Sequence, residues 1–572
     1  MTELNGLEEI ERIIWAYALK NALDYEGKAV TKSVISKVFK EKPGLKNKAR
    51  NVIEIVNGIV EKVNSMTYEE QTKLFEQYKD LVTTPERRKK EVLPPLPNAV
   101  EGKVVTRFAP NPDFVIHLGN ARPAILSHEY ARKYKGRFIL RFEDTDPRTK
   151  TPIKAVYGLI KEDLKWLGMK WDEEHIQSLR MSIFYKTAKE LIEKGGAYVD
   201  ICKLEESKKL IKGGIGCSTR KNPLSWQFEQ FEKMIKGYYG EGEAVLRVKT
   251  DLNHPDISVR DWVAFRIIDT GKFPHPLVGD KYVAWPTYNF AVSVDDHLMG
   301  VTHILRGKEH MQNVTKQKFL FKHMGWEYPT AIHFGRVHFE GFIMSKSKIR
   351  ELIGKEPDRF WGYDDPRFGT LRGLRRRGIL SDAIKQLILE VGIKGIDTRI
   401  TYTNLAAINR KMLDEKAHRI MFVYEPIEFT VESNTPLKSR VPVHPSLKDV
   451  RMYTVQPGDK VCINRSDVGS EAIRLLGLGN FAIGKDELKY IGSDMSVARE
   501  HKIPIIQWVP CSQKVNVSVY KPSGLEFLVQ KGYSEPGILE YKVDDKLQFI
   551  RYGFVRVDKI TDELVRVIFS HE

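Results

Sequence analysis

The stretch APNPDFVIHLGN (109–120) interrupts regular structure with two prolines, an asparagine and an aspartate, then sets His117, Gly119 and Asn120 where a helix begins. A helix start of this kind suits a polyphosphate. Its first-turn N–H groups lack intrahelical partners, and the helix dipole adds about half a positive charge there. Gly119 lets a ligand approach the backbone closely, and His117 and Asn120, three apart on one helical face, offer two side-chain donors. Far downstream, FIMSKSKI (342–349) holds Lys346 between Ser345 and Ser347. A mobile lysine beside a triphosphate neutralises charge developing on a leaving pyrophosphate. Taken singly, each stretch also reads as a capped helix start or a surface lysine loop.

The surrounding elements must aim these residues. KVVTRF reads as a short apolar strand, ARPAILSHEYARKYKG as a helix and RFILRF as a second strand, which together make a parallel βαβ unit. Pro123 is expected in the helix's first turn, where its missing N–H has no partner to lose. In open parallel sheets the ligand site lies beyond the C-terminal ends of the strands, and both APNP and EDTD (143–146) follow such ends.

Around this unit the chain divides by texture. Leu7, Ile10, Ile14 and Tyr17, then Val52, Ile55, Val56, Ile59 and Val63, recur at helical spacing, so residues 1–80 read as a helical domain. Prolines and charges make 81–100 a linker. Residues 101–194 and 286–378 read as two halves of a Rossmann-like α/β domain, separated by an insertion at 195–285 that mixes a lysine-rich helix with strand-like pieces. A helical connector covers 379–425. From 426 to 572 short alternating segments predict a β-rich region, expected as antiparallel barrels.

The chain has 572 residues, enough for several domains, and a formal net charge of +17. That surplus favours a polyanionic partner, nucleic acid first, although charge also serves solubility. Four cysteines, Cys202, Cys217, Cys462 and Cys511, are too few and scattered for a disulfide framework and lack close metal-ligand pairs, so a reducing cytoplasm is expected. No apolar run is long enough to span a membrane, and the N-terminus carries acids where a signal peptide carries lysines. No membrane partner is expected.

In this order and separation, the two signature stretches resemble the paired motifs of class I aminoacyl-tRNA synthetases. TRFAPNPDFVIHLGNAR, RFEDTDPR, PTYNFAVSVDDHLMGVTHILRGKEH and IMSKSK are similar to the glutamyl and glutaminyl branch, and the match runs through most of 101–378. Two positions depart from the family pattern. Asn120 stands where a histidine is usual and keeps a donor without a proton to give; Ile343 stands where a first lysine is usual, leaving Lys346 as the better-placed cation. The β-rich tail resembles glutaminyl and archaeal or eukaryotic glutamyl enzymes rather than the bacterial glutamyl type, and an N-terminal helical domain without an obvious glutathione-transferase pattern favours the archaeal type.

The resemblance implies a ligase that forms an aminoacyl adenylate from ATP, with Mg²⁺, and passes the aminoacyl group to a terminal ribose hydroxyl of tRNA. It implies catalytic roles for His117, Asn120 and Lys346, and ATP contacts from Pro110, His117, Gly119, Asn120, Ser345, Lys346 and Ser347. Arg107, Glu143, Tyr288 and Arg306 match the amino-acid pocket, with Glu143 facing the substrate ammonium. Arginine at 306, where glutaminyl members carry an uncharged residue, favours L-glutamate. The insertion is expected to take the acceptor end and the β-rich region the anticodon. FIRYGFVRV (549–557) is a candidate RNA-facing strand by its aromatics and arginines, or else alternates between core and solvent. Zinc is not expected, since two more ligands are missing beside Cys202 and Cys217. The partner is a glutamate-accepting tRNA, with the glutamine-accepting tRNA open, as is oligomeric state. The alternatives are a glutaminyl enzyme, a non-catalytic tRNA-binding relative, or a small nucleotidyl transferase loading glutamate elsewhere, against which residues 379–572 argue.

Overall fold

Apolar residues at helical spacing build the first of two compact units, Met1–Val92, in a computed structural model that describes residues 2–24, 27–42, 44–45, 49–81 and 93–572. Helices α1 (Thr2–Asp24), α2 (Thr31–Glu41), α3 (Ala49–Ser65) and α4 (Tyr68–Tyr78) pack on one another. The stripe expected from sequence forms their core: Ile14, Tyr17, Val52, Val56, Ile59 and Val63 are buried, with Ile10 and Ile55 packed against them. The Leu7 side chain, and residues 82–92 of the expected linker, lie outside the described residues. Thr67 and Glu70 close a reciprocal capping box that starts α4.

The second unit, Leu93–Glu572, opens with β1 (Val105–Phe108), α5 (Leu118–Lys133), β2 (Arg137–Phe142), α6 (Lys154–Trp166) and β3 (Glu173–Ile176). The strands are parallel, ordered β1-β2-β3, with Val105 opposite Arg137 and Ile139 opposite Glu173. After α7 (Met181–Glu193) the chain leaves this layer. It forms a four-stranded antiparallel sheet of β4 (Ala197–Asp200), β5 (Val245–Val248), β6 (Val263–Ile267) and β7 (Ala284–Pro286), with α8 (Leu204–Lys212) and α9 (Leu224–Ile235) between β4 and β5.

Helix α10 (Tyr288–Leu298) returns to the parallel layer, followed by β8 (His303–Gly307), α11 (Met311–Met324) and β9 (Thr330–Phe334). Strands β8 and β9 pair in parallel, and Thr302 N–H donates to the Val105 carbonyl at 2.9 Å, which brings β8 beside β1. The shared core takes Phe108, Ile125, Phe138, Leu140 and Leu305, all buried. Strand β10 (Val337–Glu340), α12 (Lys346–Lys355), α13 (Leu371–Arg376), α14 (Ser381–Val391), β11 (Thr398–Thr401) and α15 (Tyr402–Asp414) complete this half. Among the described residues no helix is long and apolar enough to cross a membrane.

Two seven-stranded sheets, with a two-stranded antiparallel hairpin at 437–442 and 450–455 and a short helix at 495–500, form the remainder. Each ends on two pieces of one bent segment, 418–420 with 422–423 in one and 505–506 with 509–510 in the other. Each sheet therefore closes on itself as a barrel around its own apolar core. Most pairings are antiparallel, with parallel pairs as well, such as 517–520 beside 565–568. FIRYGFVRV is a hairpin rather than one strand. Phe549, Phe554, Val555 and Val557 are buried in or beside the core, and Arg556, itself buried, pairs with Asp544 and Asp558, so residues 554–557 show no alternation between core and solvent.

Gly136 sits where α5 hands over to β2. A Cβ there would lie 1.9 Å from the Val104 carbonyl oxygen, so the close approach of β1 and β2 excludes any side chain. Gly136→Ala is expected to lower the unfolding free energy by about 3 kcal/mol, the upper range for overpacking. Urea unfolding measures it, and a change below about 0.5 kcal/mol, as at an ordinary surface site, would contradict this packing.

Candidate active site

The loop between β1 and α5 is pinned from both sides. Glu143 N–H donates to the Pro110 carbonyl and Ile153 N–H to the Pro112 carbonyl, each at 3.0 Å. Asn111 Oδ1 accepts from Asp113 N at 3.0 Å, an Asx turn that lets the chain reverse. His117 then caps α5 in extended conformation, its Nδ1 accepting from Gly119 N at 3.1 Å and Asn120 N at 3.4 Å.

This cap corrects one expectation. The first-turn N–H groups are not open to a phosphate: Leu118 N donates to Gly369 O, Gly119 N to the histidine ring, and Asn120 N and Ala121 N to His117 O. The donors left to a ligand are the side-chain amide of Asn120 and the imidazole Nε2–H, because Nδ1 is the acceptor. Burial, with Lys346 nearby, pulls His117 down to about 4, so the ring is neutral. Gly119 is needed partly for this cap, since a Cβ would lie 3.0 Å from His117 Cε1. Pro123 is also displaced from expectation. With α5 starting at Leu118 it falls in the second turn, where it denies the Gly119 carbonyl its helical donor.

A histidine kept neutral in the fold links stability to pH. Its folded value, about 4, lies below the unfolded 6.5, so the unfolded chain takes up a proton that the native ring refuses as pH falls. Stability from this group is complete above pH 6.5 and is expected to decline by roughly 3 kcal/mol towards pH 4. Urea titrations of the wild type and His117→Asn across that interval test it. Parallel profiles would remove the buried neutral ring from the account.

Lys346 does not sit in a free loop. It is the first residue of α12, behind Ser345, whose hydroxyl accepts from Lys348 N at 3.4 Å and lies 3.2 Å from the Ser347 hydroxyl. The lysine Nζ pairs with both oxygens of buried Asp113, at 2.6 and 2.8 Å. A stitch from residues 368–371 holds this segment against the start of α5. Gly369 N donates to Ile343 O (2.8 Å), Leu118 N to Gly369 O (3.0 Å) and Leu371 N to Ile116 O (2.9 Å). A side chain at Gly369 would meet Met344 Cγ at 2.7 Å.

The two signature segments therefore face one cavity of ≈ 550 Å³. Of the residues expected from sequence, Arg107, Pro110, Gly119, Asn120, Glu143, Tyr288, Arg306 and Lys346 line it; His117 and Ser345 are helix caps outside the lining, and Ser347, also outside it, lies in the first turn of α12.

At the opposite end, strand ends supply charge. Arg107 comes from β1, Arg141 from β2 and Glu143 from the residue after it, and Asp296 from α10. Arg107 Nε reaches Asp296 at 3.2 Å, and fully buried Arg141 reaches Asp296 at 2.7 Å and Glu143 at 3.1 Å. Burial alone would raise Asp296, but Arg107 and Arg141 hold its carboxyl below the usual range. Arg107 thus already shares its fork with Asp296. Arg141 and Asp296 were not among the expected site residues; an arginine in the middle of the apolar run RFILRF was the available sign.

In that quartet Arg107 and Arg141 face Asp296 and Glu143, and burial pushes the Glu143 carboxyl up. Arg306, on β8 and buried, adds a charge without an ion-pair partner: no carboxylate lies within 4.0 Å among the described residues, and its Nη1 has no hydrogen-bond partner. A buried guanidinium left this way has the charge and a donor with which an anionic group could pair.

The cysteines correct a further expectation. Cys202 is bonded to Cys217 and Cys462 to Cys511, the pairs brought to Cα separations of 6.3 and 5.7 Å by folding across 15 and 49 residues, distances that a linear reading does not reveal.

Family comparisons agree with this architecture. Residues 103–415, more than half of the chain, match the model for the catalytic domain of class I tRNA synthetases (E and Q), and residues 417–497 and 505–558 match the two anticodon-binding domain models of the same enzymes. The chain is 53% identical to a glutamate–tRNA ligase of Aeropyrum pernix, over 99% of this chain and all of that one. Glutamate–tRNA ligases of Hyperthermus butylicus and Staphylothermus marinus are 50% and 48% identical, each over 96% of this chain and the whole of the relative. With its nucleotide-sized cavity at the strand ends, its paired signature segments and this likeness along its whole length, the protein belongs to the class I aminoacyl-tRNA synthetases of the glutamyl and glutaminyl branch.

Proposed function

We propose that the protein ligates L-glutamate to tRNA. A carboxylate oxygen of glutamate attacks the α-phosphorus of ATP and pyrophosphate leaves; the 3′-terminal ribose hydroxyl of tRNA then attacks the acyl carbon and AMP leaves. No enzyme nucleophile is required, so positioning and electrostatics carry the rate. The uncompensated Arg306 carries the choice of amino acid: a side-chain carboxylate supplies its missing partner, whereas an amide leaves the charge unanswered.

In this reading Glu143 draws the substrate ammonium, with Arg107 and Tyr288 orienting the α-carboxylate end. Pro110, Gly119 and Asn120 border the nucleotide, His117 donates through Nε2–H, and Lys346 exchanges Asp113 for the triphosphate. Ser345 and Ser347 fix the start of α12. Mg²⁺ arrives on the triphosphate as part of the substrate, as is usual for a metal held mainly by phosphates and water. The four-stranded insertion takes the acceptor end and the two barrels the anticodon, in the cytoplasm where tRNA is charged.

Aminoacylation of purified tRNA with labelled glutamate or glutamine tests the assignment. Charging with glutamate alone is expected; preferential charging with glutamine would transfer the protein to the glutaminyl side. ATP–pyrophosphate exchange with glutamate and tRNA, if absent while tRNA still binds, would make it a non-catalytic relative. Running glutamate-accepting and glutamine-accepting tRNA side by side separates a narrow enzyme from a dual one.

A further inference from the structure

Arg306 is held entirely by uncharged groups. Its Nε donates to His333 Nε2 at 3.3 Å, and its Nη2 donates to Gln317 Oε1 and to the Tyr328 hydroxyl, both at 3.2 Å. Gln317, on α11, is 1% exposed and cannot turn freely. Its Oε1 also accepts from Tyr328 at 2.7 Å, and its Nε2 donates to Asn289 Oδ1 at 3.2 Å. The chain continues through Asn289 to Asn313 and from Asn313 to His310, again at 3.2 Å each. Both ends, Arg306 and His310, line the cavity. Burial, with Arg306 and His310 alongside, takes His333 down to about 4, so it too remains a neutral acceptor.

We propose, on the glutamate reading above, that Gln317 is a specificity-determining positioning residue: it occupies the place of a counter-ion without being one. A glutamate at 317 would have nearly the same shape and would put a carboxylate at the 3.2 Å contact now made by an amide oxygen. Arg306 would then be neutralised from within, and the substrate's side-chain carboxylate would meet no net charge. Gln317 thus aims the guanidinium while leaving its charge for the ligand. The amide relay can accept such a change. If Asn289 and Asn313 each turn their amides over, Asn289 donates to residue 317 and His310 donates through Nδ1.

The test is steady-state aminoacylation by the full-length protein, with KM and kcat for glutamate, glutamine and ATP. Gln317→Glu is expected to lower kcat/KM for glutamate at least about 100-fold through KM, the scale of a lost buried charge interaction, with KM for ATP unchanged and the glutamine-to-glutamate ratio raised. Gln317→Met removes the hydrogen bonds from Arg306, from Tyr328 and to Asn289 without adding charge, and is expected to cost clearly less than Gln317→Glu, about tenfold, because Arg306 keeps its charge for the substrate. Equal losses in the two variants would reduce Gln317 to a packing role and overturn the proposal, as would an unchanged glutamate KM in Gln317→Glu. Asn289→Asp is the second variant should Gln317→Glu fail to fold. It puts the charge one hydrogen bond further from Arg306 and is expected to raise the glutamate KM less, leaving glutamine unaffected; an unchanged glutamate KM there would also overturn it. A wild type that charges no glutamate would instead sink the underlying assignment, so the two failures are distinct.

Discussion

Arg306→Gln is expected to lower kcat/KM for glutamate about 10³-fold, almost wholly through KM for the amino acid, because in the proposed reading a charge-assisted contact to a buried guanidinium is lost and a substrate carboxylate is left unpaired. The side-chain amide retains a donor towards Gln317 and Tyr328, so the pocket should hold its shape and KM for ATP should stay put. Discrimination against glutamine should collapse in step, since the rejected amide no longer leaves a buried cation unanswered. Competition between the two amino acids in aminoacylation measures both effects. A rise in the glutamate KM of less than about tenfold, the loss of one neutral hydrogen bond, would show that Arg306 does not meet the substrate side chain.

Lys346→Ala should act on the other coordinate. It is expected to reduce kcat by roughly 10²–10³-fold, the usual result of removing one preorganised group that faces developing charge. KM for glutamate and tRNA affinity should scarcely change. The lysine is paired with Asp113 at 2.6 Å, so removing it also leaves a buried carboxylate with only Arg350, 3.9 Å away, as counter-charge. The double variant Lys346→Ala with Asp113→Asn separates the two effects. A single variant with near wild-type kcat in single-turnover adenylate formation would exclude Lys346 from the phosphoryl step.

The parallel layer was legible because its strands are short apolar runs closed by proline or acidic punctuation, and strand ends locate ligand sites in such sheets. The helical stripe of the first unit was legible for the same reason, its period surviving in Ile14, Val56 and Val63. What escaped reading depends on contacts across long stretches of sequence. Asp296 meets Arg107 from 189 residues away, and Arg306 meets Gln317 and Tyr328 from a helix and the loop after it. Gly369 stitches Ile343 to Leu118 through backbone atoms alone, which carry no side-chain signature. His117 was read as a donor from its residue type, but whether a histidine caps its own helix or faces a ligand depends on its ring orientation. The cysteines misled for a related reason: separation along the chain says little about separation in space. Glu143, Tyr288 and Arg306 were named through resemblance, and the structure adds the charge balance that gives Arg306 a reason to be there.

Each terminal barrel is sealed by a single bent segment that supplies both lateral borders, 418–423 in one and 505–510 in the other. While that clasp holds, neither barrel offers an unpaired strand to another molecule. If it detaches, two borders are exposed together rather than one, so fraying there gives a species competent for intermolecular β-pairing. Solubility on heating should thus turn on these short clasps rather than on the larger cores they enclose.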